Sequence, residues 1–72
     1  MDINQIFNQA ITLQINEKLD EAERLYREIL KVQSEHLDAN NNLGIILEQH
    51  GKLEAAEIHY KKAIEFNPNF AE

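Results

Sequence analysis

The stretch NLGIILEQHGKLEAAEIHYKKAIEFNP, residues 42–68, decides the fold of this 72-residue chain. A variant of the same pattern, NQAITLQINEKLDEAERLYREILKVQS, stands 34 positions earlier at residues 8–34. When residues 3–36 are aligned with residues 37–70, eight positions are identical, whereas about two or three would be expected by chance. The identical positions in the first copy are Asn8, Ile11, Leu13, Lys18, Leu19, Ala22, Glu23 and Tyr26. Repetition at a fixed period predicts tandem copies of one supersecondary unit.

Each copy contains two runs of apolar residues at helical spacing, separated by a short polar interruption. In the first copy, Asn16 is expected to take the left-handed conformation at a helix end, and the next helix should span about residues 19–32. In the second copy, Ser34 is expected to cap a helix that begins near Glu35, and Gly51 should end it. The pattern predicts an all-α fold, a solenoid of two helix-turn-helix units with four antiparallel helices, because no segment alternates with a period of two.

Small residues recur at matching positions of the two copies. A small side chain lets two helix backbones approach closely, and the neighbouring Tyr26 or Tyr60 can fill the space beside it. Bulk at these positions should therefore be poorly tolerated, and Ala56→Leu is expected to unfold the domain by overpacking. The positions are Ala10 and Ala22 in the first copy and Gly44 and Ala56 in the second.

The second copy resembles a tetratricopeptide repeat, which has a 34-residue helix-turn-helix period. The residues that carry the resemblance are Leu43-Gly44, Ala56, Tyr60 and Pro68; Asn40 stands at the usual tryptophan position. The first copy is looser, because Ala10 replaces the glycine and Ser34 the proline. The resemblance implies one domain over residues 3–70, with repeats at 3–36 and 37–70, and the start of a third repeat, and so of a further helix, at 71–72.

In tetratricopeptide proteins the first helices of successive units line a concave groove that binds peptides. The resemblance places ten residues on this surface: Phe7, Asn8, Ile11, Gln14, Ile15, Asn41, Asn42, Ile45, Glu48 and Gln49. Asn8 and Asn42, 34 positions apart, are expected either to read a peptide backbone through their amides or to be solvated consensus residues. The family's carboxylate clamp is not supported, because the set contains no lysine or arginine.

Composition and spacing exclude several function classes. Thirteen acidic residues outnumber seven scattered basic ones, so the net charge of −6 makes nucleic acid an unsuitable partner. No apolar run reaches the ~18 residues of a membrane span, and the absence of cysteine fits a cytoplasmic protein. The three histidines lack the spacing of a helical metal pair and are interpreted as surface residues, and Ser34-Glu35-His36 is no catalytic triad. We expect no enzyme activity, catalytic residue, metal or cofactor.

The sequence favours a protein–protein interaction module that binds a peptide or helix in the groove. Two alternatives stay open: a non-catalytic segment that docks the protein substrate of a larger enzyme such as a glycosyltransferase, and a module for homodimer formation. Two units are few for a repeat array, so the chain is expected either to continue in further repeats or to pair with a second copy. The candidates for self-association lie on or just after the last helix: Ile58, Ile64, Phe66 and Phe70.

Overall fold

The computed structural model describes residues 2–66, with Phe66 described by its backbone alone. These residues form four helices: α1 (Ile3–Ile15), α2 (Leu19–Val32), α3 (Leu37–Gln49) and α4 (Leu53–Phe66). Helix α1 packs against α2, α2 against α3, and α3 against α4. Residues 2–66 contain no β-strand. The predicted all-α fold of two helix-turn-helix units is confirmed, whereas residues 67–72 and the proposed third repeat lie outside the described residues.

Local hydrogen bonds explain where α1 begins. The Asp2 carboxylate accepts a bond from the Gln5 backbone N–H at 2.8 Å, and the Gln5 side-chain oxygen accepts one from the Asp2 N–H at 3.1 Å. This reciprocal capping box satisfies two backbone donors that a helix start leaves without partners. Helix α2 has no such side-chain cap, but Asp20 and Glu21 lie in its first turn, where the helix dipole favours negative charge.

The start of α3 differs from the prediction. The helix begins at Leu37, and its N-cap is His36, whose ring Nδ1 accepts a bond from the Ala39 N–H at 3.0 Å. The prediction that Ser34 caps a helix starting near Glu35 is wrong. Ser34 instead lies in the preceding loop, where its carbonyl oxygen accepts a bond from the Asn40 side chain at 3.1 Å.

The two helix-turn-helix connections share one backbone geometry. After α1, the Lys18 N–H donates to the Leu13 carbonyl at 2.8 Å, and after α3 the Lys52 N–H donates to the Leu47 carbonyl at 2.8 Å. A bond from a backbone N–H to the carbonyl five positions earlier, with a residue of positive φ just before the donor, is characteristic of the Schellman helix end. Gly51 takes the left-handed position with φ +77°, as predicted, but in the first unit this position belongs to Glu17 with φ 62°.

The prediction that Asn16 adopts the left-handed conformation is therefore wrong. Asn16 has φ −83° and is the C-cap of α1, one residue before the left-handed position. The offset follows from the hydrogen-bond register, because a Schellman end requires positive φ at the residue after the cap.

The core lies mainly along α3, which packs against α2 on one side and α4 on the other. The four small residues predicted at close helix contacts are all buried, and a Cβ added at Gly44 would lie 2.7 Å from Tyr60 Cε1. The tyrosine ring thus occupies the space that the glycine leaves open. The fully buried large side chains are Tyr26, Ile29, Leu43, Ile46, Leu47 and Asn40.

Candidate functional site

The ten residues predicted to bind peptide all lie on α1 and α3, and none is fully buried. Their joint role in one groove stays a prediction. Four of them are exposed, namely Asn8, Ile15, Glu48 and Gln49. The other six are half-buried, namely Phe7, Ile11, Gln14, Asn41, Asn42 and Ile45. The surface combines apolar side chains and amides with a single charged residue, Glu48.

A buried tyrosine connects two of these amides. The Tyr26 hydroxyl on α2 donates to Gln14 Oε1 on α1 at 2.7 Å. Asn42 Nδ2 on α3 donates to the same hydroxyl at 3.3 Å. Three consecutive helices are thus joined by one chain of hydrogen bonds. The chain also orients the amides of Gln14 and Asn42, each of which keeps further donor or acceptor capacity.

The environment of Tyr26 keeps its hydroxyl protonated. Burial raises the pKa of this phenol, a tendency that the bond from Asn42 opposes and the charge of Asp38 reinforces. A neutral hydroxyl can donate once and accept once, which is the arrangement observed. The importance of Tyr26 to the surface was not predicted from the sequence, where the residue was interpreted only as packing. The signal available in the sequence was that two pairs recur at the same spacing of 34 positions: Tyr26 with Tyr60, and the polar residues Gln14 with Glu48.

Asn8 and Asn42 have different surroundings although they occupy equivalent positions. Asn8 is exposed, and its backbone carbonyl oxygen accepts a bond from the Thr12 hydroxyl at 3.0 Å. Asn42 is half-buried and bound to Tyr26. Recognition of a peptide backbone by the two amides therefore stays a prediction, with the Asn42 amide oriented by its bond to Tyr26 and the Asn8 residue exposed.

Phe7 is held by aromatic neighbours at one end of the surface. Its ring centroid lies 6.0 Å from that of Tyr26 and 5.2 Å from that of His36, both in tilted arrangements. Such contacts stabilise beyond the apolar area that they bury. Phe7 therefore anchors α1 to the loop before α3, and only part of its ring remains available to a partner.

A buried polar pair ties the loop before α3 to α4. Asn40 Nδ2 donates to the carbonyl oxygens of Ser34 and His36, each at 3.1 Å. Asn40 Oδ1 lies 3.0 Å from His59 Nδ1, so the imidazole donates from this nitrogen. The pKa of His59 is lowered by burial first, and then by the charges of Lys62 and Arg27. Of the three histidines interpreted as surface residues, His50 is exposed, whereas His36 and His59 are half-buried.

The candidates for self-association are only partly described. Ile58 and Ile64 are 56% and 42% exposed on α4, whereas the side chain of Phe66 and all of Phe70 lie outside the described residues. Two further large apolar residues are exposed that the sequence did not single out, Val32 at 72% and Leu53 at 62%.

The described residues offer few other sites. Among residues 2–66 no three His, Asp or Glu side chains are placed to hold a metal ion together. The His36 ring nitrogen nearest to the backbone already caps α3, so the Ser34-Glu35-His36 run has no free base there. None of the helices within residues 2–66 has the length and hydropathy needed to cross a membrane.

Comparison with known proteins identifies the repeat. A family model described as "Tetratricopeptide repeat" matches residues 7–69. The chain is similar to "Anaphase-promoting complex subunit 3" of Schizosaccharomyces pombe, with 28% identity over 74 residues, which cover 96% of this chain and 11% of that protein. It is also similar to "Protein bimA" of Emericella nidulans, with 38% identity over 56 residues, which cover 78% of this chain and 7% of that protein. The chain thus spans about a tenth of the length of these relatives.

Proposed function

Because the chain belongs to the tetratricopeptide repeat family, we propose that it binds an extended peptide or a helix of a partner protein on the surface of α1 and α3. Tetratricopeptide repeats generally mediate protein–protein interactions. The observation that carries the proposal is the hydrogen-bond chain Gln14–Tyr26–Asn42, which orients two amides on that surface. An amide oriented before binding loses less conformational entropy when it engages a peptide backbone.

The chemistry of the surface fits a peptide of mixed character. Half-buried Phe7, Ile11 and Ile45 offer apolar contact to side chains, while Asn42 and Gln14 can bond backbone groups. Apolar surroundings with a few oriented polar groups are typical of binding sites.

The charge of the surface disfavours acidic partners. Glu48 is the one charged residue of the set. Burial, and to a smaller extent the negative charge of Glu48, raises the pKa of Tyr60. The net charge of −6 adds long-range repulsion of anionic partners. A neutral or basic peptide is therefore the favoured ligand of this surface.

The relatives support a place within a larger assembly. The name "Anaphase-promoting complex subunit 3" describes a component of a multi-protein complex. By this likeness we propose that the chain supplies contact surface within an assembly, without a catalytic role. A docking segment of a larger enzyme remains the alternative that would use the same surface.

A random peptide library displayed on phage tests the proposal. Enriched peptides are synthesised and their dissociation constants measured by calorimetry with the wild type and with Asn8→Ala/Asn42→Ala. The double variant should bind about tenfold more weakly, as expected for the loss of a net hydrogen bond or two. Gln33→Ala, which truncates an exposed amide outside the set, should bind like the wild type. Equal losses in both variants, or none in either, would place binding elsewhere.

Self-association is the second candidate, and the exposure of Ile58 and Ile64 on α4 favours it. Exposed apolar side chains on one helix are a frequent feature of interfaces. Sedimentation equilibrium over a wide concentration range should show a dimer that Ile64→Glu abolishes. Ile15→Glu, which makes the same apolar-to-acidic change on α1, should leave the dimer intact. A monomer at all concentrations would eliminate this candidate.

A further inference from the structure

A small cleft between α2 and α4 collects positive charge on an otherwise acidic protein. The cleft has a volume of about 250 Å³. It is lined by Arg27, Leu30, Lys31, Ser34, Asn40, His59 and Lys62. Three of the seven basic residues of the chain are in this list, and no carboxylate is. None of the ten residues predicted to bind peptide lines the cleft.

Tertiary structure brings a third cation beside two that already share one face of a helix. Arg27 and Lys31 lie one turn apart on α2, whereas Lys62 comes from α4, in the second unit. The sequence had indicated that the cations were scattered. Their combined field reaches His59, whose pKa is lowered by burial and then by Lys62 and Arg27.

The cationic groups retain hydrogen-bonding capacity. The Arg27 Nε donates to Glu23 Oε2 at 3.0 Å, yet a guanidinium has five N–H donors, and 48% of this side chain is exposed. Lys31 and Lys62 are exposed, and no carboxylate of the described residues forms an ion pair with either. An anion in the cleft could therefore be contacted from both α2 and α4.

The surroundings of the cleft select a ligand of high charge density. A single carboxylate would gain little from a site this open, because one exposed ion pair contributes at most about 1 kcal/mol. A phosphate monoester carries about −1.5 to −2 charges at pH 7 and three acceptor oxygens, which can be shared among three cations. Charge-assisted bonds of this kind are about twice as strong as neutral ones.

We propose that the cleft between α2 and α4 binds a phosphate monoester through Arg27, Lys31 and Lys62. The phosphate can come from a phosphorylated side chain of a partner protein or from a small phosphate compound. The site is independent of the peptide surface on α1 and α3, so the two can succeed or fail separately.

Nuclear magnetic resonance on the full chain at low ionic strength tests the proposal. The probes are inorganic phosphate, a short peptide with one phosphoserine, and the same peptide without the phosphate. Saturable shifts should appear for the His59 ring and the amides around Arg27, and the pKa of His59 should rise when phosphate is bound, because the anion offsets the neighbouring cations. Lys62→Glu should weaken binding by more than about tenfold, because it removes one charge-assisted bond and places a like charge beside the phosphate.

The adjacent lysine supplies the matched control. Lys61 does not line the cleft and pairs with Glu57 at 2.9 Å, so Lys61→Glu makes the same charge change one residue away. Equal weakening by both variants, shifts that do not saturate, or equal binding of the unphosphorylated peptide would overturn the proposal. Tighter binding of the phosphopeptide than of inorganic phosphate would support a protein source, and equal affinities a small phosphate compound.

Discussion

The two units fill one equivalent pair of positions with opposite chemistry. The first unit has Ile6 and Leu25, both half-buried against the apolar core. The second has Asn40 and His59, joined by a hydrogen bond of 3.0 Å. Asn40 also holds the loop before α3 through the carbonyl oxygens of Ser34 and His36. A repeat geometry can therefore be kept by burial in one unit and by a satisfied polar network in the next.

The difference has a consequence for specificity. Apolar pairs tolerate small shifts of one helix along another, since their attraction has little direction. Asn40 makes three contacts of defined geometry, and a shift of α4 would leave its side-chain oxygen without the His59 partner. The second unit is thus held in one register with respect to the loop that joins the units.

The largest expected effect is on the small residues at the helix contacts. Ala56→Leu and Ala22→Leu should each destabilise by about 1–3 kcal/mol, because both side chains are buried and the added atoms have no space. Ala22 lies in α2, which packs against both α1 and α3, so Ala22→Leu should lower the free energy of unfolding more than Ala56→Leu does. Urea unfolding followed by circular dichroism measures both. A midpoint for Ala56→Leu close to wild type would contradict the placement.

Exchanging the polar pair for the apolar pair tests the opening comparison directly. His59→Leu alone should destabilise by about 1–3 kcal/mol, because it removes the partner of a buried carbonyl oxygen. Asn40→Ile combined with His59→Leu copies Ile6 and Leu25 and should cost less than the sum of the two single changes. A thermodynamic cycle from thermal melts gives the coupling energy. Strict additivity would show that the pair acts as two independent residues.

Gly44→Ala should destabilise by about 1 kcal/mol, although alanine ordinarily favours a helix over glycine by a similar amount. The added Cβ would lie 2.7 Å from Tyr60 Cε1, so the ring has to move. The reverse change in the first unit, Ala10→Gly, should also destabilise, there because helix propensity falls. A stabilised Gly44→Ala, checked by denaturant midpoints, would show that the Tyr60 ring relaxes freely.

Substitutions at the left-handed residues of the two Schellman ends should change the stability in opposite directions. Glu17 has φ 62°, a conformation that costs a non-glycine residue about 1–2 kcal/mol. Glu17→Gly should stabilise by about 0.5–1 kcal/mol after the greater freedom of glycine in the unfolded chain is deducted. Gly51→Ala should lose about 1 kcal/mol by the same reasoning. Chemical denaturation of both variants measures the pair, and a destabilised Glu17→Gly would mean that the Glu17 side chain has a structural role.

The smallest effect concerns pH. Because the pKa of His59 is lowered in the folded chain, the unfolded chain binds more protons just below the ordinary histidine value of about 6.5. The stability contribution is therefore complete above about pH 6.5 and is lost as the pH falls through the folded pKa. The groups that face His59 are Arg27 and Lys31 from α2, Lys62 from its own helix and the amide of Asn40.

Denaturant midpoints at about pH 7.5 and about pH 5.5 measure this effect, with His59→Gln as the reference. Glutamine keeps a donor for Asn40 without titrating, so the difference between the two proteins isolates His59. A pH dependence that is the same in both would assign it to other groups.

Sequence reasoning predicted the elements and many packed positions, because a 34-residue period and helical spacing are local properties. It placed the small residues at Ala10 and Gly44 correctly and identified Gly51 as a left-handed helix end. It missed the His36 cap, since an imidazole is an unusual N-cap, and it assigned left-handed geometry to the wrong residue of the first turn. The role of the ten residues predicted to bind peptide stays a prediction, and their support by Tyr26 was visible only in three dimensions.

The sequence by itself determined the repeat, the helix pairs and the tetratricopeptide family, because periodicity and helix-breaking residues act within a few turns of chain. The tertiary structure decided which polar side chains meet: Tyr26 with Gln14 and Asn42, Asn40 with His59, and Lys62 with Arg27 around one cleft. These residues belong to different helices, so their encounter depends on how the helices pack. The physical reason is that a hydrogen bond needs its two heavy atoms within about 3 Å of each other, whereas the spacing of residues along the chain fixes only which face of a helix they share.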